Sequence, residues 1–298
     1  MAEGLQGFLL VDKPSGWTSH DVVGKVRGLV GGKAGHAGTL DPMATGLLVV
    51  ALGRATRLLR YVQGAEKEYV ATAQFGVATD SLDADGSVIS REPTNADADQ
   101  IEAVLSRFRG DILQVPPMVS ARKVEGRRLY ALAREGKVVE REARPVTIHS
   151  LDLIDVAPSD YPEVTFRTVC STGTYVRTLA DDIARALGSR AHLTSLRRTR
   201  IGAFTVDTAA SVDELVEAHG ADGLDDLVMP PAAGVRDLPA VVVEPSEGMR
   251  VRNGVALPAG DREISDGGAA RILDGGDRSL IAVYRRDGDK LKAEVVLS

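Results

Sequence analysis

The sequence predicts an α+β protein with a second, smaller β domain at its C-terminal end. Segments with alternating apolar residues, such as residues 67–75, are typical of strands, and amphipathic helices with capping residues lie between them. After residues 229–231 the sequence pattern changes to short predicted strands separated by Asn-Gly and Asp-Gly turns. With 298 residues and 44% hydrophobic content, the chain can form one large core and a small additional one.

The first third of the chain alternates strands and helices. Residues 8–11 predict a strand, and Ser19 is the predicted N-cap of the helix that follows and ends near Gly31. A glycine-rich loop then enters an apolar run. Further elements are predicted over residues 47–52 (strand), 56–63 (helix), 67–75 (strand) and 97–108 (helix, opened by the capping pair Asp97 and Gln100).

The remaining elements predict the domain boundaries. Strands over residues 146–156 and 164–171 precede a helix over 178–187, and Ser211 with Glu214 forms a capping box for a helix that ends near residue 219. The predicted domains are residues 1–230 and 235–298, and the first contains a proline-bounded basic excursion over about 116–145. The predicted strands of the second domain are residues 241–243, 269–273, 280–284 and 292–297.

Composition indicates a cytoplasmic protein without a membrane partner. The N-terminal residues lack a basic n-region, and the apolar run 8–11 is too short for a signal peptide or a membrane span. The single cysteine, Cys170, cannot form an internal disulfide and is predicted to be a core residue. A net charge of −6 does not exclude a polyanionic partner, because docking on nucleic acid depends on local charge.

Two basic clusters are candidates for such a local charge. One lies in residues 107–144, and the other comprises Arg190, Arg197, Arg198 and Arg200. A solvated helical face with i,i+4 ion pairs is the alternative interpretation of the first cluster. The acidic run 79–86 resembles a calcium loop, but its spacing does not fit that template. We therefore predict no metal site.

The loop over residues 35–46, with the sequence G-H-A-G-T-L-D-P-M-A-T-G, is the first candidate for chemistry. Pro42 biases Asp41 away from helical geometry, so the carboxylate is either displayed for chemistry or used in a local Asx turn. Tyr69, on its predicted strand, is either a core residue with a solvated hydroxyl or a catalytic residue. Arg177, at a predicted strand-to-helix junction, fits either a structural partner of a carboxylate or a catalytic group.

Several motifs in fixed order resemble one family. They are K-P-S-G-W-T-S at residues 13–19, G-H-A-G-T-L-D-P at 35–42, Tyr69, the run 79–86, G-T-Y-V-R at 173–177 and L-R-R at 196–198. Over residues 7–209 the chain closely resembles the TruB-type tRNA pseudouridine synthases, which isomerise uridine 55 in the T loop. The C-terminal part resembles PUA-like RNA-binding domains. The resemblance implies a mixed, mainly antiparallel sheet flanked by helices, with the active cleft across its face.

The resemblance also implies roles for individual residues. Asp41 would be the nucleophile, acting first at C1′, at C6 or on a ribose proton. Arg177 would orient it and pair mainly with Asp83. The other implied substrate-binding residues are Tyr69 and Tyr175 at the uracil, Leu196 in the pocket wall, His36 in support of the flipped base, and Lys13. No atom is gained or lost in the isomerisation, so we expect neither a cofactor nor a metal.

The excursion over residues 116–145 corresponds to an inserted thumb that closes over the T loop. Its Arg122, Lys123, Arg127 and Arg128 would contact RNA phosphates. The expected partner is the T stem-loop of tRNA, and the expected state is a monomer. Two other classes of protein fit the residues alone: an RNA-binding or chaperone module with an incidental carboxylate, and a carboxylate-dependent glycoside or nucleoside hydrolase that would release free uracil.

Overall fold

The computed structural model describes residues 4–118, the backbone of 123–124 and 127–128, and residues 139–297. The strands of these residues are β1 (Gly7–Lys13), β2 (Ala34–His36), β3 (Thr45–Leu52), β4 (Lys67–Phe75), β5 (Val77–Thr79), β6 (Val88–Arg91), β7 (Gly110–Gln114), β8 (Lys123–Val124), β9 (Arg127–Arg128), β10 (Arg144–Ala157), β11 (Glu163–Cys170), β12 (Ala191–Ile201), β13 (Phe204–Thr205), β14 (Ala210–Ser211), β15 (Val228–Met229), β16 (Ala240–Val243), β17 (Leu257–Pro258), β18 (Ala269–Asp274), β19 (Leu280–Asp287) and β20 (Lys290–Val296). The helices are α1 (Ser19–Val30), α2 (Leu59–Gly64), α3 (Ala98–Leu105), α4 (Val176–Ala186), α5 (Val212–Gly220) and α6 (Pro245–Arg252).

A large mixed sheet forms the main body, with the strand order β14-β1-β3-β12-β4-β11-β10-β7. Strand β1 runs parallel to β14, and β3 runs parallel to β12, whereas the other neighbours in this order are antiparallel. A second sheet, with the order β16-β18-β19-β20-β17, follows at the C-terminal end. The predicted α+β class, with a mainly antiparallel sheet and a C-terminal β domain, is therefore confirmed.

Helices cover the large sheet on its faces and generate separate apolar clusters. Helices α3 and α4 pack on the sheet with strand residues such as Phe75 and Phe166. Helices α1 and α5 pack on β1 and β3, where Val22 and Leu215 contact alternate strand residues. The other side of β1 and β3 packs with Val283 and Val295 of the C-terminal sheet. Because β3 is buried on both faces, its sequence is a continuous apolar run rather than an alternating one.

The capping predictions are confirmed at two helices and wrong at the first. Asp97 with Gln100 and Ser211 with Glu214 form reciprocal capping boxes. The N-cap of α1, however, is Thr18, whose side chain accepts from the backbone of the residue three positions on. Ser19 is not the cap because its buried hydroxyl bonds the backbone of Leu40. The Ser19 hydroxyl, which the sequence pattern assigns to the start of a helix, therefore holds the loop that contains Leu40.

Other boundaries differ from prediction by a few residues. The helix predicted over residues 56–63 is a 3₁₀ segment, Gly53–Leu58, followed by α2. Helix α4 begins at Val176, so Arg177 lies in its first turn rather than before it. Neither strand β12 nor helix α6 is predicted from the sequence. Three arginines obscure the alternation of β12, and α6 has few apolar residues, with Gly248 and Val251 as its buried positions.

The predicted C-terminal strands are confirmed within a few residues, and the sheet they form contacts the main body. Arg54 and Arg57 donate to the backbone carbonyls of Leu297 and Val296, respectively. The side chain of Glu294 accepts from Tyr61 at 2.9 Å. No helix of the described residues has the length and apolar character needed to cross a membrane.

Candidate active site

A cavity of about 290 Å³ opens on the large sheet where two loops meet the central strands β4 and β12. One loop follows β2 and carries Asp41, and the other precedes α4 and carries Tyr175. This volume is near the lower end of the range for sites that hold small ligands, which is about 300–1,000 Å³. The lining residues are Gly38, Thr39, Leu40, Asp41, Lys67, Tyr69, Thr172, Gly173, Thr174, Tyr175, Val176, Arg177, Leu196 and Arg198.

Residues of the N-terminal segment form hydrogen bonds to the backbone of the loop that carries Asp41. The Ser19 hydroxyl accepts from the Leu40 amide at 2.9 Å and donates to its carbonyl at 3.2 Å. The Gly16 amide donates to the carbonyl of Pro42 at 2.9 Å. The Asp41 carboxylate is 36% exposed and is bonded by Arg177. This geometry favours the displayed carboxylate over the Asx-turn interpretation.

Lys13 is fully buried beneath this loop. Its ammonium donates to the carbonyls of Pro14, Trp17 and Pro42 at 2.9, 2.7 and 3.2 Å. Burial lowers the pKa of Lys13 to about 8, and the nearby Asp41 carboxylate opposes that shift. Lys13 does not line the described cavity, so its contacts connect the N-terminal turn to the Asp41 loop.

Arg177 joins two carboxylates in one buried network. Its Nε lies 3.0 Å from Oδ2 of Asp41, and its Nη1 lies 2.9 Å from Oδ2 of Asp83. Nη1 also donates to the carbonyl of Ser81 at 2.8 Å. The other oxygen of Asp83 accepts from the Ser81 hydroxyl and from the Asp85 amide. The fork of a guanidinium suits such simultaneous contacts, so this arrangement fixes the Asp41 carboxylate relative to the cavity.

Opposing effects set the protonation of Asp41. Burial raises its pKa above the ordinary value of 3.8, and the negative charge of Asp83 acts in the same direction. The Arg177 guanidinium acts against both and favours the ionised carboxylate. The carboxylate is thus partly withdrawn from solvent and directly paired with a cation, a combination that occurs often at catalytic sites.

Aromatic and apolar side chains form the rest of the predicted site. Tyr69 is buried on β4 with its ring in the cavity wall, and burial raises the pKa of its hydroxyl while the facing Arg198 opposes the shift. Leu196 lies in the same wall on β12. Tyr175 is held by reciprocal bonds with Gln114: its amide donates to the Gln114 side chain at 2.7 Å, and its carbonyl accepts at 3.1 Å.

His36 ends strand β2 and does not line the described cavity. Its ring makes an edge-to-face contact with His20, with the centroids 5.5 Å apart. Burial lowers the pKa of His36, and His20 adds to this effect. None of the described residues gives the buried Nδ1 of His36 a hydrogen-bond partner.

Sequence reasoning missed two cationic residues of the cavity, Lys67 and Arg198. Lys67 occupies an inward position at the start of β4, and Arg198 is 1% exposed on β12. The available signal for Lys67 was a lysine on the buried face of an alternating strand. The neighbouring arginines have structural partners, because Arg190 pairs with Asp181 and Arg197 pairs with Asp12.

The predicted thumb residues lie at the limits of the described structure. Arg122 lies outside the described residues, and so do the side chains of Lys123, Arg127 and Arg128, whose backbones form the antiparallel pair β8 and β9. Within the described residues there is no group of three or more His, Cys, Asp or Glu side chains that could hold a metal ion.

Comparison with known proteins identifies the class. A model described as "TruB family pseudouridylate synthase (N terminal domain)" matches residues 26–176, and one described as "tRNA pseudouridylate synthase B C-terminal domain" matches residues 177–235. A chain in the crystal structure of a Cbf5-Nop10-Gar1 complex superposes with a TM-score of 0.77 at 28% identity, covering 98% of this chain and 85% of that one. The family models and the superposed fold show an isomerase of the pseudouridylate synthase class.

Curated relatives narrow the assignment within that class. A tRNA pseudouridine synthase B of Symbiobacterium thermophilum is 48% identical over 86% of this chain and 84% of its own length. One from Burkholderia mallei is 43% identical over 95% of this chain and 94% of its own. The chain belongs to the TruB family of pseudouridylate synthases.

Proposed function

We propose that the protein converts the uridine at position 55, in the T loop of tRNA, to pseudouridine, with Asp41 as the nucleophile. The observation that carries this proposal is the Arg177–Asp41 pair, 3.0 Å apart, at a cavity that Tyr69 and Leu196 also line. A tRNA substrate is supported by the names of the relatives. Position 55 is supported by the match of the sequence to the family motifs.

The reaction breaks the N1–C1′ bond, rotates the uracil and joins it to C1′ through C5. The detached fragment has to stay in the site, so a nucleophile that can take it up and return it is useful. Asp41 suits this role because Arg177 favours its ionised form and fixes its direction. Asp83 acts through Arg177, since both carboxylates bond the same guanidinium.

The cavity favours a flipped base over a base within the stack. A target uridine in a structured loop has to leave its neighbours before its glycosidic bond becomes accessible, at a cost of about a few kcal/mol. Tyr69 offers an aromatic face for stacking, Tyr175 a second ring and Leu196 an apolar wall. His36, outside the cavity, is proposed to support the flipped conformation of the RNA.

Further parts of the chain complete the proposal. The predicted thumb over residues 116–145 would contact phosphates of the T stem-loop, and the PUA-like domain over 235–298 would follow the catalytic domain over 1–230. We expect a monomer that acts in the cytoplasm. Chemistry on uridine that exchanges no atoms needs no cofactor.

The experiment is to map modified uridines in an unmodified tRNA transcript after incubation with the protein. Wild type should convert uridine 55 without changing the RNA mass, and Asp41→Asn should lose turnover while tRNA affinity stays within several fold. Asp152→Asn is the matched control, because Asp152 is exposed on β10 and lies outside the Asp41, Arg177 and Asp83 network. Free uracil would instead identify a hydrolase. A few per cent of the wild-type rate in Asp41→Asn, with deamidation excluded, would reject the nucleophile.

A further inference from the structure

We propose that Lys67 and Arg198 form an oxyanion subsite that holds a carbonyl oxygen of the uracil and takes up the negative charge this oxygen acquires during the reaction. This inference rests on the proposed function and deepens it. It concerns the two cavity cations that are separate from the Asp41, Arg177 and Asp83 network.

Lys67 has donor capacity that its protein contacts do not use up. Its ammonium donates to the carbonyls of Gln63 and Ala65 at 2.7 and 2.6 Å. An ammonium carries three N–H donors, so these two contacts leave one. Because the side chain lines the cavity, that donor is available to a ligand.

Arg198 is fixed beside Lys67 by backbone carbonyls. Its Nε donates to Leu47 at 2.8 Å, and its Nη2 donates to Gly38 at 3.1 Å. A Cβ atom at Gly38 would lie 3.6 Å from Nη1 of Arg198 and 3.8 Å from Cε of Lys67. The missing side chain at Gly38, where φ is +95°, therefore leaves a space that borders both cations.

The charges around this space favour an anionic oxygen. The residues that line the cavity include three cations, Lys67, Arg177 and Arg198, against the single carboxylate of Asp41, which Arg177 pairs directly. Burial lowers the pKa of Lys67 to about 8, and the positive charge of Arg198 contributes to the same shift. A negative oxygen between the two cations would relieve that repulsion.

Isomerisation generates a negatively charged uracil oxygen in the cavity, whichever first step Asp41 takes. When the N1–C1′ bond breaks, its electron pair stays on the uracil and spreads over N1, O2 and O4. When Asp41 instead adds to C6, the electron pair moves to C5 and O4. Joining C5 to C1′ uses the pair again, and the proton that leaves C5 balances the one gained by N1. The oxygen is most negative before that step, so the cations bind the transition state more strongly than the ground state.

A phosphate oxygen of the target nucleotide has the same chemistry, and kinetics can distinguish the two sources. We would measure the single-turnover rate at saturating enzyme and the tRNA affinity at several salt concentrations. The variants are Lys67→Gln, which keeps neutral donors, and Lys67→Arg, which keeps the charge. Lys25→Gln, at an exposed position of α1, is the control.

We expect Lys67→Gln to lower the rate about 10²-fold or more, as for loss of one oxyanion donor, with affinity and salt slope unchanged. Lys67→Arg should retain most of the rate, and Lys25→Gln should match wild type. An unchanged rate with weaker binding and a salt slope reduced by about 0.7–0.9 would assign the subsite to phosphate and overturn the proposal. Equal losses in Lys67→Gln and Lys67→Arg would also overturn it, because charge would then not matter.

Gly38→Ala tests the same space without removing a cation, in case Lys67→Gln fails to fold. Gly110→Ala is its control, because Gly110 also has a positive φ, +86°, but open space around its Cβ position. We expect Gly38→Ala to lose rate and Gly110→Ala to keep it. A folded Gly38→Ala variant with the wild-type rate would reject the subsite. A wild-type protein that forms no pseudouridine would instead reject the proposed function.

Discussion

Asp83→Asn tests whether the buried ion-pair network organises the site. Both oxygens of Asp83 accept hydrogen bonds: one bonds Arg177 at 2.9 Å, and the other bonds the Asp85 amide at 3.2 Å and the Ser81 hydroxyl. An amide has one acceptor oxygen, so its NH₂ group would face either the guanidinium or the backbone N–H. Neither of these donors can reverse its role.

The expected cost follows from leaving a buried cation with one partner fewer. Arg177 is 3% exposed, and removal of one member of a buried pair costs about 3–5 kcal/mol. At about 2–4 °C per kcal/mol for a domain of this size, we expect the Tm to fall by about 6–20 °C. If Arg177 shifts by about 1 Å, Asp41 moves with it, and a loss of about 10²-fold in rate is expected.

The assay combines thermal unfolding with single-turnover pseudouridine formation over a range of pH. Burial and then the Asp83 charge raise the pKa of Asp41, so removing that charge should move the acid limb of the rate profile to lower pH. Asp85→Asn should stay within about 0.5 kcal/mol of wild type because its side chain is exposed. A Tm and rate for Asp83→Asn equal to those of Asp85→Asn would refute the reasoning.

Gly46→Ala should destabilise the protein far more than Gly16→Ala, because both have a positive φ but only the Gly46 Cβ would meet the Arg198 carbonyl oxygen, at 2.3 Å; equal changes in denaturant midpoint would contradict this. The folded-state pKa of Asp41 is raised, so its ionisation lowers stability as pH rises through that pKa. The Tm of Asp41→Asn relative to that of wild type should therefore be higher at pH 7 than in acid; a Tm difference that does not change with pH would refute this. Replacing Arg122, Lys123, Arg127 and Arg128 together by Ala should flatten the log-log salt dependence of tRNA binding by about 0.7–0.9 per lost contact, and parallel lines would reject the thumb hypothesis.

Sequence reasoning succeeded where the deciding interactions are local. The capping boxes at Asp97 and Ser211 join residues three positions apart, so their spacing alone indicates a helix start. Strand β4 has the bounds expected from its alternation, since one face is buried and the other is half-buried along its whole length. The family motifs likewise brought Asp41, Tyr69, Tyr175, Arg177 and Leu196 to attention, and these residues line one cavity.

Tertiary structure decided the use of each polar group. Ser19 is a residue type that often caps helices, but its hydroxyl bonds the backbone of Leu40. The arginines of β12 are close together in the sequence and suggest a charged surface, but each has different partners in the structure. Arg198 is buried because the carbonyls of Leu47 and Gly38, which are remote in sequence, accept its N–H groups. Lys67 is buried for the same reason, with carbonyls at the end of α2 as acceptors. Backbone carbonyls are present at every position of any sequence, so only the folded arrangement determines which of them can stabilise a buried cation.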